Sequence, residues 1–563
     1  MTTYYLGLSV SGHDPAFAVV DAEGRLVFAE ATERFVQDKR AWGIAPDHYD
    51  HVAGALSRVC PDMTRLVAAT SWARPKPESE AVPPAASGSA DGLIDPLTAR
   101  WLREHQRRSF SFAGQNLPMV ARGVPLELRH YDHHLCHAVY SCASSPFDAA
   151  HCVVIDGEGE VGAVSLYAMK GRRLTRSWRS WGPGSLGALY AFLTLKCGFE
   201  WRLGEEWKVM GLAAFGTALP EITDPLSRLI TLDRGRPRAA APAVWDEVCA
   251  AIAPFVRGAG EDVMRAADLA AGGQAVYAAL ADGILASAGL KPGDYLVLGG
   301  GCALNSSYNG TVRQRFGLGG MHVPPAPADD GNAAGAALLA WLEETGAALP
   351  RGWDSPYLGN EPNLRSLAAV LARGGLGRTT ELGAGDTAAV AALLTEGKIL
   401  GVMRGRAEFG PRALGHRSIL ADPRPAEMKE RINRRVKGRE PYRPFAPIVS
   451  ERDAADWFDA PDPSPYMSFT KTWRRGRAEQ VPAVVHADGT GRLQTVAPGA
   501  EPWLSSLLAD FGRETGVPVV LNTSLNVMGK PIANSVEDAI TIFATTGLDA
   551  LLVGDVLIQK PAG

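Results

Sequence analysis

DHHLCHAVYSCASSPFDAAHCVVIDGEGE, residues 132–160, reads as a helix, a strand and an Asp-Gly turn in close succession. Asp132 is of the residue type that caps a helix, and the helix would open at His133. His133 and His137 lie four apart and so share one helical face. Cys152-Val153-Val154-Ile155 is a short apolar run of the kind a buried strand needs. Asp156 follows at its end, in Asp156-Gly157-Glu158-Gly159. Two imidazoles on one face bind a divalent metal well, and a carboxylate at a strand end can add an oxygen. Asp329, in the Gly-rich stretch 328–335 ahead of a helix over 336–345, can add a second. Two nitrogens and two oxygens suit iron, with zinc or manganese as alternatives. The plain alternative is a pair of partly exposed helix histidines.

The same turns bear on phosphate. Gly157, and Gly300 with Gly301 after an expected strand at 295–298, let a nucleotide approach the backbone closely. Asn305 closes the second of these loops. Further upstream, residues 4–10, 16–20 and 26–29 read as strands, the last two joined by the turn 21–24. The first ends in Ser11-Gly12-His13-Asp14. Residues 74–96 and 234–244 read as loops on their Pro, Ser and Ala content. Residues 186–195 and 266–287 have helical spacing, the latter weakened by Gly272, Gly273 and Gly283.

Composition shifts at 346–365, where Pro and Gly cluster, so the chain is expected to divide into a first domain over 1–350 and a second over 356–563. The second should carry helices at 364–373, 387–396 and 535–546 and strands at 399–403, 517–521 and 550–553. Its distinctive feature is a pair of basic blocks. RGRAEFGPRALGHRS, residues 404–418, includes Arg412 and Arg417; NRRVKGREPYRPF, residues 433–445, includes Lys437 and Arg443. Acids are scarce in both. Arginine forks match phosphate and carboxylate oxygens in pairs, so the blocks predict an anion site for a phosphorylated small molecule, with RNA as the competing ligand.

The whole chain bounds these readings. It has 563 residues, 46% hydrophobic and 21% charged, with a net charge of −4. That balance disfavours a general nucleic-acid binder. Seven scattered cysteines form no C-x-x-C pair, so neither a disulfide framework nor a structural zinc knuckle is expected. The opening residues lack the basic and apolar regions of a signal peptide, no apolar run is expected to reach the roughly 20 residues that span a bilayer, and a cytoplasmic protein with no membrane partner is expected.

Nine stretches together resemble one family. GLSVSGHDPAFAVV, HHLCHA, VVIDGEGE, GLAAFG, GGGCALN, PPAPADDGNAAGAA, GPRALGHRSIL, INRRVKGREPYRPFAP and LNTSLN occur in this order from residue 7 onward. They look like the O-carbamoyltransferases, which include the nodulation-factor, cephem and tobramycin carbamoyltransferases. The resemblance implies an α/β protein: an actin-like N-terminal domain of the sugar-kinase superfamily and a YrdC-like C-terminal domain. It implies that carbamoyl phosphate and ATP, the latter with Mg, form carbamoyl-adenylate. The carbamoyl group would then pass to a hydroxyl, such as a sugar hydroxyl of an antibiotic-type natural product. By motif, His133, His137, Asp156 and Asp329 match the metal ligands. Arg412, Lys437, Arg443, Arg492, Asn522 and Ser524 match the carbamoyl phosphate and ATP site, and His13 a histidine of the transfer site. Arg417 is placed in the same anion site, and His13, Lys437 and Arg443 are the expected catalytic residues. A homodimer is compatible.

Two departures stand out. Ser11 occupies a position that is acidic in the tobramycin pattern, which disfavours a polyamine acceptor. Gly529-Lys530-Pro531 stands where the family has Gly-Glu-Pro. Two other functions fit parts of the pattern. A tRNA threonylcarbamoyladenosine-type transferase would need a basic RNA face. A non-enzymatic actin-like nucleotide-binding scaffold would bind ATP without consuming carbamoyl phosphate.

Overall fold

The computed structural model describes residues 2–73, 96–383 and 385–561. The loop expected over 74–96 lies outside these as far as residue 95; residue 96 opens a helix, Pro96–Phe112. The chain divides into two compact units, one of Met1–Asn305 with Val312–Ser355 and one of Ser306–Thr311 with Pro356–Gly563.

The first unit repeats one topology twice. Strands β1 (Thr3–Ser9), β2 (Ala16–Val20), β3 (Leu26–Ala31), β4 (Arg65–Thr70) and β5 (Leu126–His130) form a sheet in the order β3-β2-β1-β4-β5. The first three make an antiparallel meander, and β4 and β5 add in parallel. The second sheet begins with β6 (Ala150–Ile155), β7 (Val164–Lys170) and β8 (Arg173–Arg179). A separate hairpin of β9 (Ile230–Asp233) and β10 (Arg236–Ala239) intervenes. Then β11 (Tyr295–Gly299) and β12 (Gly320–His322) pair in parallel with the second meander, giving β12-β11-β6-β7-β8. Two such sheets, each a meander with parallel additions, make the actin-like α/β architecture.

Two helices lie between the sheets. Asn332–Thr345 packs on the first sheet and His133–Ser144 on the second, and the two pack against each other. Their approach depends on Gly335, where a Cβ would collide with the Cys136 carbonyl. The first starts at Asn332, earlier than the apolar run at 336 indicates, because its opening turn is polar and continues directly from Asp329–Gly331.

Two expectations need correction. The 234–244 loop contains β10, whose Pro237 needs no N–H on a strand that pairs on one side only. The membrane expectation also fails in its literal form: Val263–Ser287, 25 residues, is long and apolar enough to cross a bilayer. It lies against other helices of the unit instead. Gly272 meets Ile222 and Gly273 meets Leu193 at distances a side chain would close, which explains glycines inside a helix.

The second unit is one mixed nine-stranded sheet. Its strands are β13 (Arg378–Glu381), β14 (Leu400–Met403), β15 (Arg417–Ala421), β16 (Ala446–Ser450), β17 (Phe469–Thr472), β18 (Thr490–Val496), β19 (Val519–Ser524), β20 (Ala550–Val553) and β21 (Val556–Gln559), in the order β13-β21-β20-β14-β15-β19-β16-β18-β17. Side chains alternate between two cores: Ile419, Val449, Val519 and Leu551 enter one, Leu420, Ile448, Val520 and Leu552 the other. Both faces of the central strands are covered, and Leu400–Met403 and Ala550–Val553 read as continuous apolar runs.

Candidate functional sites

In the first unit the opening stretch folds into a cluster. The Asp132 carboxylate accepts the Leu135 N–H and caps the helix. His133 and His137 then turn toward β6, where Asp156 leaves the strand. Each Nε2 lies 3.2 Å from Asp156 Oδ2 and 3.5 Å from Asp329 Oδ1. One ligand atom from each of the four residues falls within 4.8 Å of the others, and all four residues are buried. The partly exposed histidine pair is therefore not what the fold builds.

The surroundings fix each donor. His133 Nδ1 sits 3.2 Å from the Ser71 carbonyl, and Gly301 N–H donates to Asp156 Oδ1 at 2.9 Å. A His133 donating from Nδ1 presents an Nε2 lone pair to carboxylate oxygens, an arrangement that requires a proton or a cation between them. Burial opposes charge on His133, but Asp329 and Asp156 outweigh it and hold its pKa well above the usual range. Burial likewise opposes ionisation of Asp329, and His133 and His13 outweigh it. Two buried carboxylates beside two imidazoles fit a divalent ion in number, type and spacing. His134 does not join them. Its Nδ1 meets Ser165 Oγ at 2.8 Å, and burial, with His133 and His137, lowers it to about 4.

The glycine loops meet at this cluster because β6 and β11 are parallel neighbours. Gly300 adopts φ +85° directly over the Ile155 carbonyl, and Gly157 follows Asp156. Asn305 is paired at both ends of its amide with Gln274, at 3.0 and 3.2 Å, and Gln274 accepts from Tyr190 at 2.8 Å. Gln274 and Tyr190 were not foreseen; they lie on helices without a local motif.

His13 stands at the rim. Its Nδ1 is 2.9 Å from Asp14 Oδ2, 2.9 Å from an Arg40 amino group and 3.6 Å from Asp329 Oδ2. Arg40 also reaches Asp14 through two nitrogens, at 2.8 and 3.0 Å. Ser11 Oγ donates to the His13 carbonyl at 2.7 Å, holding the turn.

In the second unit the basic blocks form a cationic basin. Burial pushes the Arg492 guanidinium down, and Arg412, Arg439 and Arg443 add to the push. Arg439 is lowered by burial and by Arg443, with Glu440 in partial offset. Burial lowers Arg412 to about 10. Guanidinium stays protonated in proteins, so the group is a set of crowded, half-buried to buried like charges that an anion would relieve. Arg443 has Glu440 at 3.3 Å, and the buried Nε of Arg492 meets no hydrogen-bond partner among the described residues. His486, lowered to about 4 by burial, Arg492 and Lys429, borders the basin. Arg439 lies inside the second basic block with nothing local to single it out, while Lys429 and His486 lie outside both blocks. Separation along the chain hides Lys429 and His486.

Two residues expected in the anion site make contacts within the protein. Arg417 is fully buried and donates to the carbonyls of Arg404, Gly405, His416 and Asn360, which leaves both amino groups spent on the backbone. Lys437, in the π-turn Asn433–Lys437, directs its ammonium at four oxygens of Ser524 and Asn526. It clamps that turn, and burial, with Arg439 and Arg443, lowers it well below the usual lysine range. Ser524 Oγ in turn donates to Asn526 at 2.7 Å. Asn522 donates to Ala413 at 3.0 Å and to Gln494 at 2.7 Å, anchoring the backbone beside Arg412. Its own buried Oδ1 has no hydrogen-bond partner among the described residues.

Residues 98–338 match the family described as carbamoyltransferase N-terminus, and residues 391–560 the carbamoyltransferase C-terminus. Nodulation protein NolNO of Sinorhizobium fredii is 37% identical over 77% of this chain and 64% of its own length. Nodulation protein NolO of Bradyrhizobium diazoefficiens is 35% identical over 76% of this chain and 79% of its own. An uncharacterised protein of Synechocystis is 30% identical over 100% of this chain and 97% of its own. The two unit folds, the buried His-Asp cluster and the arginine basin are thus features of a chain that belongs to the carbamoyltransferase family.

Proposed function

We propose that the chain is an ATP-dependent O-carbamoyltransferase working in two steps. In the first, carbamoyl phosphate gives up its phosphate to water, and the resulting carbamate oxygen attacks the α-phosphorus of ATP. The products are carbamoyl-adenylate, phosphate and pyrophosphate. In the second, an acceptor hydroxyl attacks the carbamoyl carbon, AMP leaves and the hydroxyl proton is released.

The observation that carries this reading is the basin of Arg412, Arg439, Arg443 and Arg492 in a carbamoyltransferase chain. Four guanidiniums, Arg443 buried and the other three half-buried, with one acidic neighbour suit small polyanions and offset charge as phosphate departs. Asn522 Oδ1, an unpartnered buried acceptor, can take an N–H of the carbamoyl group, an interaction that would distinguish it from acetyl. Lys437 holds the Ser524–Asn526 turn beside it.

The second step belongs to the first unit. Gly157, Gly300 and Gly301 give an adenylate phosphate close access to backbone, and Asn305 with Gln274 offers polar edges. His13, oriented by Asp14 and Arg40, is placed to accept the hydroxyl proton. A divalent ion held by His133, His137, Asp156 and Asp329, iron before zinc or manganese, would supply positive charge against the adenylate phosphate. The acceptor is a hydroxylated natural product.

The test is pyrophosphate release from Mg-ATP with and without carbamoyl phosphate. Release should require carbamoyl phosphate and collapse in Arg492→Ala. Release independent of carbamoyl phosphate, or none with acceptors of several classes present in folded, metal-loaded protein, would refute the reading.

A further inference from the structure

A strip of aromatic rings leads away from His13 in the first unit. The His13 ring is 4.8 Å from Trp42, Trp42 is 4.7 Å from Trp101, and Trp101 is 4.0 Å from His105. Three segments distant in sequence supply it. Trp42 follows the Arg40 turn, while Trp101 and His105 sit four apart on the Pro96–Phe112 helix. Buried Trp201 lies 5.9 Å beneath Trp42, edge to face. The Trp42 indole is held by donating its N–H to the Arg202 carbonyl at 2.6 Å. Trp42 and Trp101 are nevertheless only half-buried.

Large rings that served packing alone would gain by full burial. These two keep ring surface exposed among the described residues, with Trp42 against the candidate proton acceptor, and polar groups stand on the other side of that histidine's turn: Gln106 lies against Gly12 and donates to Glu158 at 3.4 Å. Apolar faces bordered by amide and carboxyl groups match a sugar ring, which has apolar C–H faces and hydroxyls around its edge. The charges favour a neutral one. Arg40 lies 5.1 Å from the centre of Trp42 and is paired with Asp14, and Arg202 lies 5.7 Å from that of Trp101 and is paired with Glu200, so these flanking ion pairs offer no unpaired carboxylate to an ammonium group. Asp14 is already paired with Arg40, and Ser11 brings no carboxylate.

Resting on the carbamoyl-transfer reading above, we propose that Trp42 and Trp101 form the acceptor platform and that the acceptor presents the ring of a neutral glycoside to it, with a hydroxyl directed at His13.

The test separates this from the wider reading. Trp42→Ala, Trp101→Ala and the corresponding Phe variants are titrated with cellotetraose as a neutral glycoside and tobramycin as a polycation. Tryptophan fluorescence gives binding, and label from carbamoyl phosphate gives transfer. Cellotetraose should quench the wild type. Each Ala variant should lose about 10-fold in affinity or raise KM about 10-fold with kcat little changed, and Phe should restore most of it. Pyrophosphate release without acceptor should be unaffected. Equal affinity in the Ala variants, no cellotetraose binding, or tighter binding of tobramycin overturns the platform. Absence of carbamoyl-phosphate-dependent pyrophosphate release in the wild type instead removes the wider reading, while the fluorescence titration still decides the platform.

Discussion

Arg40 clasps Asp14 through both Nε and an amino nitrogen, at 3.0 and 2.8 Å, and the same amino group reaches the His13 ring. Burial alone would raise the Asp14 carboxyl; Arg40 and His13 outweigh it and hold it well below the usual carboxylate range. Arg40→Met keeps the aliphatic stem and leaves Asp14 a partly buried, unpaired carboxylate. Thermal melts should show a loss of about 1–3 kcal/mol, the range for charged hydrogen bonds. Carbamoyl transfer should fall while acceptor-free pyrophosphate release persists, because the basin lies in the other unit. Equal loss of both activities would show that the variant had damaged the fold.

The His133, His137, Asp156 and Asp329 set predicts metal content directly. Asp329→Asn removes one of two buried charges and should weaken metal binding by more than the roughly 10–100-fold typical of changes around a site's ligands. Elemental analysis after gel filtration is the measurement. Chelation should lower the melting temperature of the wild type and leave the variant nearly unmoved. Wild-type protein expressed with iron, zinc and manganese available yet purifying without stoichiometric metal would count against the site.

The sequence exposes this cluster because its ligands lie at element ends with their own signals: an Asp cap, an i,i+4 pair and two Asp-Gly turns. It exposes the basic blocks by composition. It hides how individual cations are used. Arg417 and Arg412 stand five apart in one Gly-rich block, yet one binds four backbone carbonyls and the other faces its fellow arginines. Nothing in the local pattern separates a backbone clamp from an anion ligand, since the carbonyls Arg417 meets are set by the folded loop. Strands β15, β16 and β18 escaped for another reason. Arg417–Ala421 and Ala446–Ser450 are short and mostly apolar, so they reveal no period, and Thr490–Val496 buries polar Gln494 and Thr495 where a strand pattern would have apolar residues.

That division of labour among the arginines can be read by stability. Arg417→Ala leaves buried carbonyls without donors and should cost about 3 kcal/mol or more. Arg492→Ala removes one of several crowded like charges, so the ligand-free protein should melt at the same temperature or higher. Pyrophosphate should stabilise the wild type and stabilise Arg492→Ala less, with KM for carbamoyl phosphate raised about 10–100-fold, as for a lost charged contact. Melts of both variants with and without pyrophosphate would decide it. A reversed order, with Arg492→Ala the less stable, would mean that the basin is a structural network.

The final prediction concerns pH, away from both sites. Glu344 accepts from Arg65 at 2.7 and 3.0 Å, from Arg129 at 2.7 Å and from the Tyr5 hydroxyl at 2.7 Å. The Arg65 hydrogen bonds, followed by those of Tyr5 and Arg129, outweigh the effect of burial and lower its carboxyl to about 2. A depressed carboxylate stabilises the fold at pH values above its unfolded pKa, and the contribution drains away as pH falls through the folded value. Side-chain exposures of 22% for Glu344 and 31% for Arg65 call for a discount against the full shift. Glu344→Gln should therefore cost about 1–2 kcal/mol at pH 7, after that discount. The gap between variant and wild type should stay constant down to about pH 5 and shrink between pH 4.5 and 2, the window between the reference value and the folded one. Urea melts of both proteins across that range measure it. A gap that holds its size at pH 2.5 would show that the glutamate acts by shape and packing, with no contribution from its charge.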